Sequence, residues 1–80
     1  MHEARLCLSL LSLADEHLAR DGGDRILALR VEVGALSGVE PEALASAFPI
    51  CAAGTAADGA ELRLERTPGR SLVLRDMEVV

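Results

Sequence analysis

Between Arg25 and Val33 apolar and polar side chains alternate, with Leu27, Leu29, Val31 and Val33 on one side and Ala28, Arg30 and Glu32 on the other. Successive strand residues point to opposite faces, so this run predicts a strand with one buried face and one solvated face. The constraint is severe in a chain of 80 residues. Such a chain makes one domain at most, and its few other elements must cover that apolar face. The covering material is aliphatic, because Phe48 is the single aromatic residue. Half of the residues are hydrophobic, too many for a disordered acidic tail, so a packed core is expected. The formal charge of −5 and the lack of stacking rings argue against nucleic acid as a partner. No apolar run is long enough to cross a bilayer, so no membrane partner is expected either.

Two helical patterns flank the strand. In the first, Glu3 to Ala19, Leu6, Leu10 and Leu13 form one row, and Cys7, Leu11, Ala14 and Leu18 form the row beside it, a stripe broad enough to pack on a sheet. Glu3 in the first turn and Arg20 near the last complement the helix dipole, and Gly22 and Gly23 supply the stop. His17, on the edge of the stripe, reads as a partly exposed histidine near the helix end rather than a metal ligand. Gly34 to Gly38 is a turn; its two glycines lack the Lys-Ser/Thr of a phosphate loop. Pro41, flanked by Glu40 and Glu42, opens the second helix. Its inward face is Leu44, Ala47, Phe48 and Cys51. Pro49 removes a hydrogen bond to the Ala45 carbonyl and predicts a kink, and Gly54 ends the helix.

Ala60 to Arg66 alternates again with Leu62 and Leu64 inward, and Pro68-Gly69 marks a turn. Ser71 to Val80 is a third strand whose inward set begins with Leu72 and Leu74 but resumes with Met77 and Val79. That change of parity implies a bulge near Arg75 and Asp76. The second and third strands are expected to pair as a hairpin. The result is an α+β domain over residues 1–80, in the order helix, strand, helix, strand, strand, with two helices packed on a three-stranded sheet.

Few residues can do chemistry. There is no Ser-His-Asp spacing and no close carboxylate pair in an apolar setting, so the chain does not read as an enzyme. Cys7 and Cys51 form no Cys-x-x-Cys pair and read as buried reduced thiols; a disulfide between them would need an oxidising compartment. The apolar run from Leu6 to Ala14 is too short for a signal peptide and lacks a positive leader, since Glu3 offsets Arg5. The N-terminus is therefore expected to stay on the protein, in the cytoplasm. There, Met1-His2-Glu3 has a sharp chemical capability. A free α-amine, the amide nitrogen of residue 2 and the His2 imidazole can close fused chelate rings, with a fourth donor from the Glu3 amide or a nearby side chain. Such a planar nitrogen set suits Ni(II) or Cu(II) rather than tetrahedral zinc. On the residues alone a solvated terminus is the plainer reading, and both stay open.

Met1-His2-Glu3 at the head of an amphipathic helix, the run from Val33-Gly34-Ala35-Leu36-Ser37-Gly38-Val39-Glu40-Pro41 to Leu44, then Ala47-Phe48, closely resembles the HypA/HybF family of nickel-delivery proteins in NiFe-hydrogenase maturation. The likeness continues through Gly59 to Leu62 and Pro68-Gly69 and resumes from Leu72 to Val79. It implies a nickel domain of three strands and two helices, with Ni(II) held by the amine, amides and imidazole of Met1, His2 and Glu3. It also implies an outer-shell or additional-ligand role for Glu40, at the start of the second helix. The implied partners are a HypB-type nickel GTPase and the hydrogenase large subunit, and the implied role is that of a metallochaperone. The departure is large: the family's zinc module, with two Cys-x-x-Cys pairs, is absent between about residues 68 and 72. Structural zinc is therefore not expected, whether the shortening is natural or engineered. The competing reading is a metal-independent interaction or dimerisation module, a homodimer or domain swap, suggested by the broad first-helix stripe and the short core.

Overall fold

A computed structural model describes residues 2–80, with side chains from Glu3 onward. The chain runs α1 (His2–Asp21), β1 (Ile26–Gly34), α2 (Pro41–Ala52), β2 (Glu61–Thr67) and β3 (Leu72–Val79), the α+β order expected. Its helices stop where the glycines sit. Gly22 takes a left-handed φ of 72°, and the Gly23 N–H donates to the Leu18 carbonyl at 3.2 Å. This is the six-to-one bond that closes a helix end around a left-handed residue. Gly54, at φ 77°, follows α2 in a tight turn instead, closed by the Thr55 N–H on the Ala52 carbonyl at 3.0 Å. The buried stripe of α1 is Cys7, Leu10, Leu11, Ala14 and Leu18. Leu13, expected in the inward row, is exposed instead, because it lies a further turn of about 60° around the helix from Leu10, past the stripe's edge.

Helix α2 opens on Pro41, where a missing N–H costs nothing. It runs through Pro49 to Ala52, since a proline in the last turn removes one helix bond with only three residues left to hold. Leu44, Phe48 and Ala52 are its buried row, with Ala47 and Cys51 partly buried beside them.

The expected hairpin does not form. The sheet order is β2-β1-β3, with β1 parallel to β2, from Ala28 opposite Glu61 to Gly34 opposite Thr67, and antiparallel to β3. Strand β1 has the most buried face of the three, and a central position pairs both its edges while leaving the charge-rich strands outside, where edges are tolerated. The parallel pairing is possible because α2 provides the long crossover it requires. The Pro68–Ser71 link then crosses the end of β1. Gly34 N–H donates to the Ser71 carbonyl (2.9 Å), Ala35 N–H to Thr67 (2.7 Å) and Leu36 N–H to Gly69 (2.9 Å).

Two irregularities set which side chains face inward. In the β1–β3 ladder Arg30 pairs with Asp76 and Val31 with Leu74, so Arg75 is extruded as the expected bulge. Ile26 pairs with Val79 and Ala28 with Glu78, leaving Leu27 unpaired. This second bulge overturns the expected parity at one position: Leu27 is 43% exposed while Ile26, Ala28 and Leu29 are buried. An extra residue on one strand reverses the alternation across it. Replacing Leu29 by Ala is therefore expected to cost about 2–5 kcal/mol, whereas Leu27→Ala should stay within about 0.5 kcal/mol. Urea unfolding of the two variants checks this, and equal costs would contradict the bulge.

The core lies between the helices and one sheet face, joining Cys7, Leu10, Leu11 and Leu18 to Ile26, Leu29, Val31, Val33, Leu44 and Phe48. The other face is a charge ladder. Arg30 bridges Glu65 on β2 and Asp76 on β3, Arg63 pairs with Glu61 and Glu78, and Arg75 pairs with Glu32. The hydrogen-bonded Arg30 guanidinium holds the Asp76 carboxyl below the usual range. Exposed pairs of this kind add little stability each, but they cover a face with no helix on it.

Candidate functional site

The head of α1 is the place where the chain's chemistry and its packing meet. Met1 and the His2 side chain, two parts of the expected nickel set, lie outside the described residues. His2 opens the helix and Glu3 occupies its first turn, half-buried. The first four N–H groups of an α-helix have no carbonyl acceptor within it. The amide nitrogens of residues 2 and 3 therefore serve no helix hydrogen bond and are free for another use.

What holds this end of α1 in place is its contact with α2. The Cys7 thiol, fully buried, donates to the Leu44 carbonyl at 3.6 Å, and the Cys51 thiol donates to the Ala4 carbonyl at 3.9 Å. Burial, with Cys51 beside it, pushes the Cys7 thiol up to about 11, so it is mostly protonated and a slow nucleophile at neutral pH. Beside this contact Glu3 and Ala4 form one wall of an open groove of about 380 Å³, and Ala43, Ser46, Ala47, Ile50 and Cys51 form the other. Small side chains on both helices leave the space, and Ile50 stands 79% exposed at its rim.

Glu40 is placed elsewhere. It is the N-cap of α2, in extended backbone, and its carboxylate accepts from the Glu42 N–H at 3.4 Å. It lines a second hollow, of about 280 Å³, at the ends of β1 and β2 with Val33, Gly34, Val39, Pro41 and Arg66. Glu3 and Glu40 thus border different hollows. His17 is exposed and, with Asp21, lines a third hollow beside the Arg75 bulge. Among the described residues no three His, Cys, Asp or Glu side chains converge to hold a metal.

The sequence reading missed the groove and left the meeting of the two thiols open. The groove had a signal, since Ala43 and Ala47 lie one turn apart beside Ser46 and Ile50. For the thiols the signal was their place on the two inward helix faces, but nothing local sets Cys7 against Cys51.

The family model described as "Hydrogenase/urease nickel incorporation, metallochaperone, hypA" matches residues 1–72. The hydrogenase maturation factor HypA of Deinococcus radiodurans is 52% identical over 69 residues, covering 86% of this chain and 58% of that protein. That of Geobacter sulfurreducens is 43% identical over 70 residues, covering 88% and 61%. The chain thus spans about three fifths of the length of these curated relatives. The solution structure of the Ni metallochaperone HypA from Helicobacter pylori superposes with a TM-score of 0.74 at 15% identity, covering 98% of this chain and 92% of that one. At that identity the match speaks for the fold.

Proposed function

The chain belongs to the HypA family, and from that premise we propose that it is a nickel metallochaperone domain that delivers Ni(II) during NiFe-hydrogenase maturation, not an enzyme. The observation that carries the proposal is the family match beginning at Met1-His2-Glu3, of which His2 and Glu3 open α1 with amides the helix does not use. In this reading the α-amine of Met1, the leading amide nitrogens and the His2 imidazole hold the ion. A cation is unfavourable at the positive end of a helix dipole. The deprotonated amides and the Glu3 carboxylate supply the compensating negative charge. Glu40 serves as an outer-shell group or additional ligand reached from the start of α2. Few side-chain ligands on a leading segment let an incoming donor replace them one at a time, which suits delivery better than storage. The partners are a HypB-type nickel GTPase and the hydrogenase large subunit, met in the cytoplasm.

The same reading takes the family's zinc module to be missing between about residues 68 and 72, so that Ni(II) is bound and zinc is not. In support, Cys7 and Cys51 are the only cysteines, and the Pro68–Ser71 link joins β2 to β3 directly over the end of β1.

Nickel titration of His2→Ala tests the assignment. Affinity is expected to fall by more than the roughly 100-fold that loss of an outer-shell partner costs, with the circular dichroism unchanged. Equal affinity removes the imidazole from the site. The exposed Ile50 at the groove's rim favours one second reading, a metal-independent interaction module. Capture of the HypB-type GTPase that is equally strong with and without nickel would favour it over delivery.

A further inference from the structure

Two cysteines far apart in sequence meet between the two helices. Cys7, on the inward face of α1, is fully buried with its Sγ on the Leu44 carbonyl. Cys51, in the last turn of α2, reaches back to the Ala4 carbonyl with its own Sγ. Each thiol is directed at the other cysteine's helix, Cys7 at a carbonyl of α2 and Cys51 at a carbonyl of α1 one turn before Cys7. Both are free thiols. They differ in access, since Cys51 is half-buried and lines the groove beside Glu3 and Ala4, while Cys7 lies behind it.

From this arrangement we infer that Cys7 and Cys51 form a reversible intramolecular disulfide, in which Cys51 reacts first and Cys7 resolves. The oxidant is a low-molecular-weight disulfide of the glutathione class. The Cys51 thiolate attacks one of its sulfurs, the small S–S bond breaks, and one small thiol leaves after taking up a proton. Cys7 then gives up its proton and attacks the Cys51 sulfur, which expels the second small thiol. Two protein thiols are oxidised and one small disulfide is reduced to two thiols. The second step is the slower, because burial keeps Cys7 protonated. The bond ties the first turns of α1 to the last turn of α2, fixing the segment that leads out of the N-terminus. The inference does not depend on nickel, and its test uses metal-free protein.

Incubation with excess oxidised glutathione, quenching with iodoacetamide and intact-mass analysis read the outcome. The expected product has lost two hydrogens per chain, carries no adduct, and yields a cross-linked peptide joining Cys7 to Cys51. Its melting temperature should rise by about 10 °C or more, and dithiothreitol should reverse the change. Cys7→Ser should instead accumulate a glutathione adduct on Cys51, and Cys51→Ala should leave Cys7 unmodified. A persistent glutathione adduct on the unsubstituted protein, or a dimer joined through Cys51, would overturn the inference. That measurement stands whether or not the Cys7 variant folds.

Discussion

Acetylation of the Met1 α-amine is expected to abolish tight nickel binding and leave the fold intact. The experiment is unusually clean in this chain. Its eight basic residues are all arginine, so the α-amine is its only primary amine, and an amine-selective reagent modifies that group alone. Acetylation turns a strong nitrogen donor into an amide, which binds a metal only after losing a proton, and it opens the first chelate ring. The structural effect should run the other way. Removing a positive charge from the N-terminal end of α1 relieves repulsion with the helix dipole, so thermal stability should hold or rise slightly. Loss of binding with an unchanged melt therefore reports on the ligand set and not on unfolding. Isothermal titration of capped and uncapped protein, with matched melts, makes the measurement; equal nickel affinity would end the terminal-chelate reading.

Gly34→Ala is expected to destabilise the domain by about 3 kcal/mol or more, for a reason unrelated to glycine's left-handed freedom. A Cβ at this position would lie 2.3 Å from the Gly69 oxygen, 2.6 Å from the Gly69 carbonyl carbon and 2.9 Å from the Ser71 nitrogen. All three are backbone atoms, so no side chain can swing aside. The methyl group has to push the Pro68–Ser71 link off the end of β1, which strains or breaks its two hydrogen bonds, from the Gly34 and Leu36 N–H groups, and disturbs the adjoining Ala35–Thr67 bond. At about 0.5–1.5 kcal/mol each, their loss alone is a large part of the roughly 4–12 kcal/mol that a domain of this size has. The melting temperature should fall by at least about 10 °C. Gly38→Ala is the control. Gly38 has a φ of 81° and open space around its missing Cβ, so it should lose only about 1–2 kcal/mol, from the left-handed backbone alone. A Gly34 variant no worse than this control would mean that the link does not cross where the hydrogen bonds put it.

These two experiments separate what a reader of the sequence can reach from what needs the folded chain. The chelate proposed at Met1-His2-Glu3 could be read from the sequence because it is local: three consecutive residues carry the amine, the leading amides and the imidazole. So are the helix stops at Gly22 and Gly54, the strand at 25–33 and the bulge at Arg75, since each shows in the spacing or parity of a short window. The likeness to the HypA family is carried by continuous runs and is equally visible. The groove beside Glu3 is not, because its walls come from two helices and its space from the absence of side chains.

Strand order is where the local reading gives out. The Pro68–Ser71 link suits a hairpin, and it also suits a step over a central strand, because two strand spacings are only about 10 Å and each residue reaches up to about 3.5 Å. Local chemistry does not choose between these. The choice falls to competition for β1, whose buried face and two hydrogen-bonding edges are best satisfied between the charged strands. The same tertiary choice turned Leu27 outward, because the register with β3 leaves that residue unpaired. It was the packing of α1 on α2 that brought Cys7 to Cys51. Sequence determined each element and carries the donors proposed at the N-terminus; tertiary structure decided which edges and side chains meet, since pairing depends on all the elements at once.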